Sequence, residues 1–455
     1  MNYTNMYSAV VRALNENSEI TYAINSDMAE QIQLWSMMYE NRAPWIKRNI
    51  LSANLPAAIA YETAKLVTLE LRSKITGSTT ADYINEIYQK DVLKKLRKFT
   101  EYGLAKGSLI IKPVADKNGV RTQFIQADRF FPISFDGSGN LIKCVLTDQI
   151  RKGKCVYTLL EIHTLEENIL TVENRAFKSE NDGILGSEVS LTEVDSWANI
   201  SSECVFSGAK SLPFGLFKCP MANQIDSTSP LGVSIYSRAV NLIKEADKRY
   251  SNICWEYEAT EVAVHVAESM LKYNKDRDKF EYPGGKERLY RTVEYATGAN
   301  DKPLIEVFSP QIRSTELYDG WNNQLRMIEF ACSLAYSTLS DPQNVDKTAE
   351  EIKSSKQRSY TFIADTQAAL QAALEDWVDA VWFWSQIYHL IPNGDYKTDF
   401  DWGDSIISDP DDKRKQDIQD LNLGIMRPEE YRAKWYSEDL KTALANLPQS
   451  AEVIE

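Results

Sequence analysis

The sequence predicts an α+β fold. Stretches with apolar residues at helical spacing occupy both ends of the chain. Short β-rich runs separated by Gly, Asn and Asp turns fill residues 107 to about 220, and two further helical stretches flank a small polar insertion. The 455 residues are 43% apolar and 25% charged, the make-up of a folded protein with enough chain for a large core. That length fits two to four domains or one elongated multi-part subunit. Lys and Arg number 51 against 65 Asp and Glu, a net charge of −14. This balance argues against a surface that grips DNA by neutralising phosphates, but not against one past which DNA slides.

Residues 1 to about 75 read as helical. Ile32, Leu34, Met37 and Met38 mark one stretch, and residues 55–67 mark another, with Pro56 suited to a first helical turn. Residues 82–106 continue as an amphipathic helix carrying Ile84, Ile87, Val92, Leu93, Leu96 and Phe99. Beyond 107, runs such as 108–113 and 155–159 read as strands. Gly137-Ser138-Gly139-Asn140 lacks the third glycine of a dinucleotide fingerprint and reads as a hairpin turn.

A helix is expected from 233 to 259, opened by Ser229-Pro230-Leu231-Gly232. The β-branched run 262–266 reads as a strand, and 267–307 as a small polar, β-containing insertion with turns at Pro283-Gly284-Gly285 and Gly298-Ala299-Asn300. A second helix is expected from about 314 to 339. Its apolar positions Leu317, Trp321, Leu325, Ile328, Cys332, Ala335 and Leu339 form one stripe. At 1.5 Å per residue each of the two would be roughly 40 Å long. They are expected as antiparallel rods carrying the insertion at their far end.

Residues 340–347 read as a loop, and Thr348 with Glu351 as a capping box. The helix it opens meets no proline until Pro392, so it would be roughly 60 Å long. Its first half is polar. Its second half carries Leu370, Leu374, Trp377, Val381, Trp384 and Tyr388, which suits a rod that begins at a water-filled space and ends inside the subunit. Residues 393–455 read as acidic and then helical, with a break at 424–430.

Catalytic signatures are scarce. His163, His265 and His389 stand alone, and the six cysteines form no C-x-x-C pair, so reduced thiols in a cytosolic setting are expected and a zinc site is not. There is no Walker motif, and Tyr236 replaces the closing glycine of a nucleophile elbow at 232–236. No signal peptide opens the chain and no apolar run is long enough to span a bilayer. One acidic cluster, Asp399, Asp401 and Asp404 with Asp409, Asp411 and Asp412 beyond it, is a candidate for a hard cation, although its spacing is not that of an EF-hand.

The order of parts resembles the portal proteins of long-tailed bacteriophages. Local stretches that are similar to that family are Asn223-Gln224-Ile225-Asp226 with 229–234, Phe308-Ser309-Pro310-Gln311-Ile312-Arg313, Lys347-Thr348-Ala349-Glu350-Glu351-Ile352, and residues 401–409. None is a catalytic signature, and their order and spacing carry the likeness across most of the chain. The resemblance implies an elongated α+β subunit of a twelve-membered ring at one capsid vertex. Residues 1–232, with part of 348–392, would be its wing. Residues 233–259 and 311–339 would be its stem, and 260–310 a small β-containing clip. Residues 340–347 would be a tunnel loop, 348–392 a long kinked helix returning to the wing, and 393–455 a mainly helical crown. One departure is that 340–347 lacks glycine and carries Pro342.

The implied function is a channel for double-stranded DNA during packaging and ejection, without catalysis or cofactor. The implied partners are further copies of the chain, the DNA, the terminase large subunit, the head–tail adaptor, and the major capsid and scaffolding proteins. No membrane is involved. The setting would be the virion, reached through assembly in the host cytoplasm. An acidic lining would keep DNA mobile, and at physiological salt its repulsion would reach only about 8 Å. In the loop, Lys347 would touch phosphates transiently beside Gln343, Asn344 and Asp346; Tyr282, Lys286, Arg288 and Arg291 are the candidates for docking on the clip; Leu317, Trp321, Leu325 and Ile328 would pack the stem. Two other readings remain open from the residues alone. One is a metal-dependent hydrolase or nuclease built on Asp399, Asp401 and Asp404, and the other is a helical scaffold.

Overall fold

The computed structural model describes residues 3–14, 25–47, 50–181, 183–260, 263–267, 272–274, 279–281, 290–293, 305–308, 311–341, 349–403, 410–436 and 438–447. Three helices come first: α1 (Tyr3–Leu14), α2 (Ser26–Tyr39) and α3 (Leu55–Thr68), the last with Pro56 in its first turn. Strand β1 (Arg72–Gly77) follows, then α4 (Thr79–Ile87) and α5 (Leu96–Lys106). The single helix expected over 82–106 is instead interrupted by a π-helical turn at Tyr88–Leu93. That turn keeps Tyr88 fully buried, with its hydroxyl 2.8 Å from that of Ser73 on β1 and its ring beside Trp377 and Phe400.

Two sheets follow. Strands β2 (Ser108–Asp116) and β3 (Gly119–Gln126) form a hairpin. Strands β4 (Phe130–Phe135), β5 (Leu141–Lys152), β6 (Cys155–Glu166), β7 (Ile169–Ser179) and β8 (Ser187–Val189) form an antiparallel meander, and β9 (Glu203–Ser207) also pairs with β7. Strand β10 (Gly215–Lys218) returns to pair with β2. The turn at 136–140 joins β4 to β5, and the Asp136 carboxylate accepts the Ser138 and Asn140 amides at 2.8 Å each. Between the two sheets, buried Lys112 on β2 holds both Glu161 oxygens, while His163 Nε2 lies 2.7 Å from Glu161 Oε1.

Helix α6 (Val240–Ala259) starts seven residues later than the sequence predicts. The reason is a close crossing. Gly232 packs on the Gly107 carbonyl and against the end of β10, Ile235 N–H donates to Leu104 O at 3.0 Å, and Val233, Ile235 and Tyr236 are buried, so 231–236 is spent wedging against α5 and β10. The insertion contains β11 (Ala263–Ala267), β12 (Lys272–Asn274), β13 (Lys279–Glu281), β14 (Tyr290–Val293) and β15 (Ile305–Phe308). Strand β11 pairs parallel with β14 and antiparallel with β15. Helix α7 (Ser314–Ala331) stops eight residues short of its expected end, where Ser333 takes a left-handed φ of 57°. These two helices are therefore about 30 and 27 Å long, shorter than the roughly 40 Å expected.

Helix α8 (Ala349–Ile387) is one continuous helix of 39 residues, about 58 Å. Leu370, Leu374, Trp377 and Val381 are fully buried along its second half, which packs on β2 and β10. The C-terminal part is not helical throughout: β16 (Tyr396–Asp401) pairs antiparallel with β1 before α9 (Pro410–Asn422), α10 (Pro428–Tyr436) and α11 (Leu440–Ala445). Among the described residues all six cysteines are free, and no helix is long and apolar enough to cross a membrane.

Candidate assembly and channel surfaces

Helices α6 and α7 lie side by side and antiparallel. Gln324 donates to Leu242 O at 3.1 Å, Trp321 lies tilted against Tyr250 with ring centres 5.7 Å apart, and Arg313 grips Glu256. Successive contacts thus step down one helix as they step up the other. At the body end, Asp247 of α6 is buried. Its carboxylate accepts the Trp45 indole N–H at 2.9 Å and the Ala53 amide at 3.2 Å, which roots the helix in the segment before α3. Burial pushes the Asp247 carboxyl up, and those hydrogen bonds oppose it.

The predicted stem residues divide by depth. Leu325 and Ile328 are buried within the subunit, whereas Leu317 and Trp321 are half-buried. The pair's outward faces carry other apolar side chains: Trp255 is 65% exposed, Phe330 61% and Met327 55%, with Tyr257 and Tyr318 also exposed. Sequence reasoning missed these. They sit off the main stripe, and only the three-dimensional packing shows that the described residues leave them largely exposed. Exposed aromatics concentrated on one helix pair mark an interaction surface more than scattered ones do.

The connection out of α7 is tightly built up to Asp341. The Glu329 carboxylate is fully buried and accepts the amides of Leu339 and Ser340 at 2.6 and 2.8 Å and the Ser340 hydroxyl at 2.9 Å. Asn322 accepts the Asp341 amide at 2.8 Å. From α8, Arg358 donates to Leu334 O at 2.9 Å and lies over the rings of Phe330 and Tyr336, at 4.8 and 5.0 Å.

Gln343, Asn344, Asp346 and Lys347 lie outside the described residues, as do Tyr282, Lys286 and Arg288; Arg291 is on β14, opposite His265 of β11 in register. In the acidic cluster, Asp399 and Asp401 occupy alternate positions of β16 and pair in register with Lys74 and Arg72 of β1. Asp404 lies outside the described residues. Among the described residues no group of three or more His, Cys, Asp or Glu is gathered to hold a metal.

A family model described as phage portal protein, SPP1 Gp6-like, matches residues 18–447. The chain belongs to that portal family. No curated protein matches it. Among the solved structures that match is a chain from one described as "Neck of native GTA particle computed with C12 symmetry". The two are 12% identical with a TM-score of 0.43, over 97% of this chain and 99% of that one. The portal family is structural, and the helix pair with its exposed aromatics is one part of this portal chain that presents apolar side chains to a neighbour.

Proposed function

We propose that this portal-family chain closes into a twelve-subunit ring at one capsid vertex and encloses the channel through which double-stranded DNA is packaged and ejected. The body formed by α1–α5, β1–β10 and the second half of α8 is the wing. Helices α6 and α7 are the stem, β11–β15 the clip, 340–347 the tunnel loop and the C-terminal helices the crown. The terminase large subunit and later the head–tail adaptor dock on the clip, through the region of Tyr282, Lys286, Arg288 and Arg291. Major capsid and scaffolding proteins meet the ring from outside. The chain catalyses nothing and drives nothing; the work of moving DNA belongs to a separate ATPase.

The observation that carries this reading is the family match across residues 18–447, and the exposed aromatics of the α6–α7 pair support it. A ring needs a heterologous interface whose rotation returns to its start, and exposed apolar side chains on a rigid helix pair supply the surface for one. The net charge of −14 suits a wall that repels phosphates at short range, because a basic wall would bind many phosphates at once and stall the polymer. Light scattering on the purified chain tests the reading. Twelve copies of a 51.8 kDa chain amount to about 620 kDa, and electron micrographs should show annuli with a central hole. A monodisperse monomer at all concentrations, without annuli, overturns it.

A further inference from the structure

We infer that Glu329 is a positioning residue, a latch that fixes the exit of the chain from α7 toward the 340–347 segment. Glu329 sits in the last turn of α7, and its carboxylate is inaccessible to solvent. Its described partners come from one place ten residues on: two successive amides, Leu339 and Ser340, and one hydroxyl. Successive backbone N–H groups closing on one carboxylate make an anion-binding nest, here filled by the protein's own side chain. Charge-assisted hydrogen bonds in a dry site are shorter and stronger than neutral ones, so this contact outweighs the ordinary turn bonds around it.

The residues between the latch and its target are wound tightly. Ser333 and Ser337 both adopt left-handed φ, 57° and 69°, a conformation that non-glycine residues keep only where their surroundings enforce it. Arg358 clamps the middle of the segment at Leu334 O, and Asn322 holds Asp341. Two helices thus brace one short connection, α7 at its far end and α8 at its centre. A displacement of the chain beyond Asp341 is delivered to α7 through Glu329 instead of being absorbed by slack. Its use in a DNA channel rests on the portal reading above. The latch itself rests on the contacts.

The test uses full-length rings carrying Glu329→Ala or Glu329→Gln, with amide hydrogen exchange as the first readout. In the unaltered protein the Leu339 and Ser340 amides should exchange slowly. In Glu329→Ala they should speed up by about tenfold or more, while the amides of Leu325 and Ile328 keep their protection. Glu329→Gln, which retains one acceptor oxygen, should fall between. Should the alanine variant not fold, Glu329→Gln and Ser340→Ala carry the same comparison. The second readout is DNA content per assembled particle, which should fall in the variants at equal ring yield. Unchanged exchange at 339 and 340 overturns the latch. Faster exchange with full DNA content overturns its positioning role. If unaltered rings do not form, the portal reading fails, while the exchange result on the free chain still decides the latch.

Discussion

Arg313, the residue just before the first turn of α7, forks onto Glu256 near the end of α6, with Nε and Nη2 at 3.1 and 3.0 Å from the two carboxylate oxygens. The two parallel bonds fix both distance and angle, so this one pair sets the spacing of the helices where β11–β15 leave them.

The pair should be sensitive to acid. The hydrogen bonds from Arg313 hold the Glu256 carboxyl below its ordinary value. A depressed carboxyl contributes stability that is present above the unfolded pKa of about 4.3 and is lost as pH falls through the folded value. The protection of the Trp255–Thr260 amides, taken against their intrinsic exchange rates, should therefore fall below about pH 4, and Glu256→Gln should bring the same fall at pH 7. Exchange there that does not respond to either change removes the pair from this role.

A second prediction concerns the link between the sheets. Burial alone would raise the Glu161 carboxyl, but Lys112 and His163 together hold it well below the usual carboxylate range. Glu161→Gln leaves the buried Lys112 ammonium without its counter-charge. Urea denaturation should show a loss of about 3 kcal/mol at neutral pH, shrinking as pH falls and the native carboxylate is itself protonated.

Gly215 on β10 is expected to tolerate no side chain, because a Cβ there would run into the Ala373 carbonyl of α8. Gly215→Ala should push β10 and α8 apart and cost about 2–3 kcal/mol. The fall should register as a lower thermal midpoint, whereas Gly153→Ala, where nothing stands near, should cost no more than the backbone strain of its left-handed φ.

Ring assembly and subunit folding should separate by residue. Trp255→Ser with Met327→Ser removes exposed side chains, so the subunit should keep its melting temperature while light scattering loses the ring. Leu325→Ala empties a buried site instead and should cost about 3 kcal/mol of subunit stability. A double variant that still assembles would place the interface elsewhere.

The strand-rich middle, the buried stripe of α8 and the β character of the insertion were legible, because each depends on a local period of apolar residues. The late start of α6 was not, because it is set by Gly107 meeting Gly232 across more than a hundred residues of chain. Strand β16 was legible in principle: Tyr396, Thr398 and Phe400 alternate in depth with Lys397, Asp399 and Asp401. The acids drew the eye to cation chemistry, although their register partners are the bases of β1. Glu329 carries no local signal at all. A glutamate beside an apolar stripe reads as solvated, and only the folded-back Leu339 and Ser340 amides reveal its task.

The pairing of β1 with β16 has a consequence for biosynthesis. Ser78 and Thr80 beside β1 reach the carbonyls of Asp395 and Pro392, so this strand finds its only described sheet partner more than 300 residues further along the chain. While the ribosome is still elongating, β1 has an open edge of the kind that sticks to other chains. A truncated translation product would keep that edge permanently, and so could be told apart from a finished subunit before either reached a growing particle.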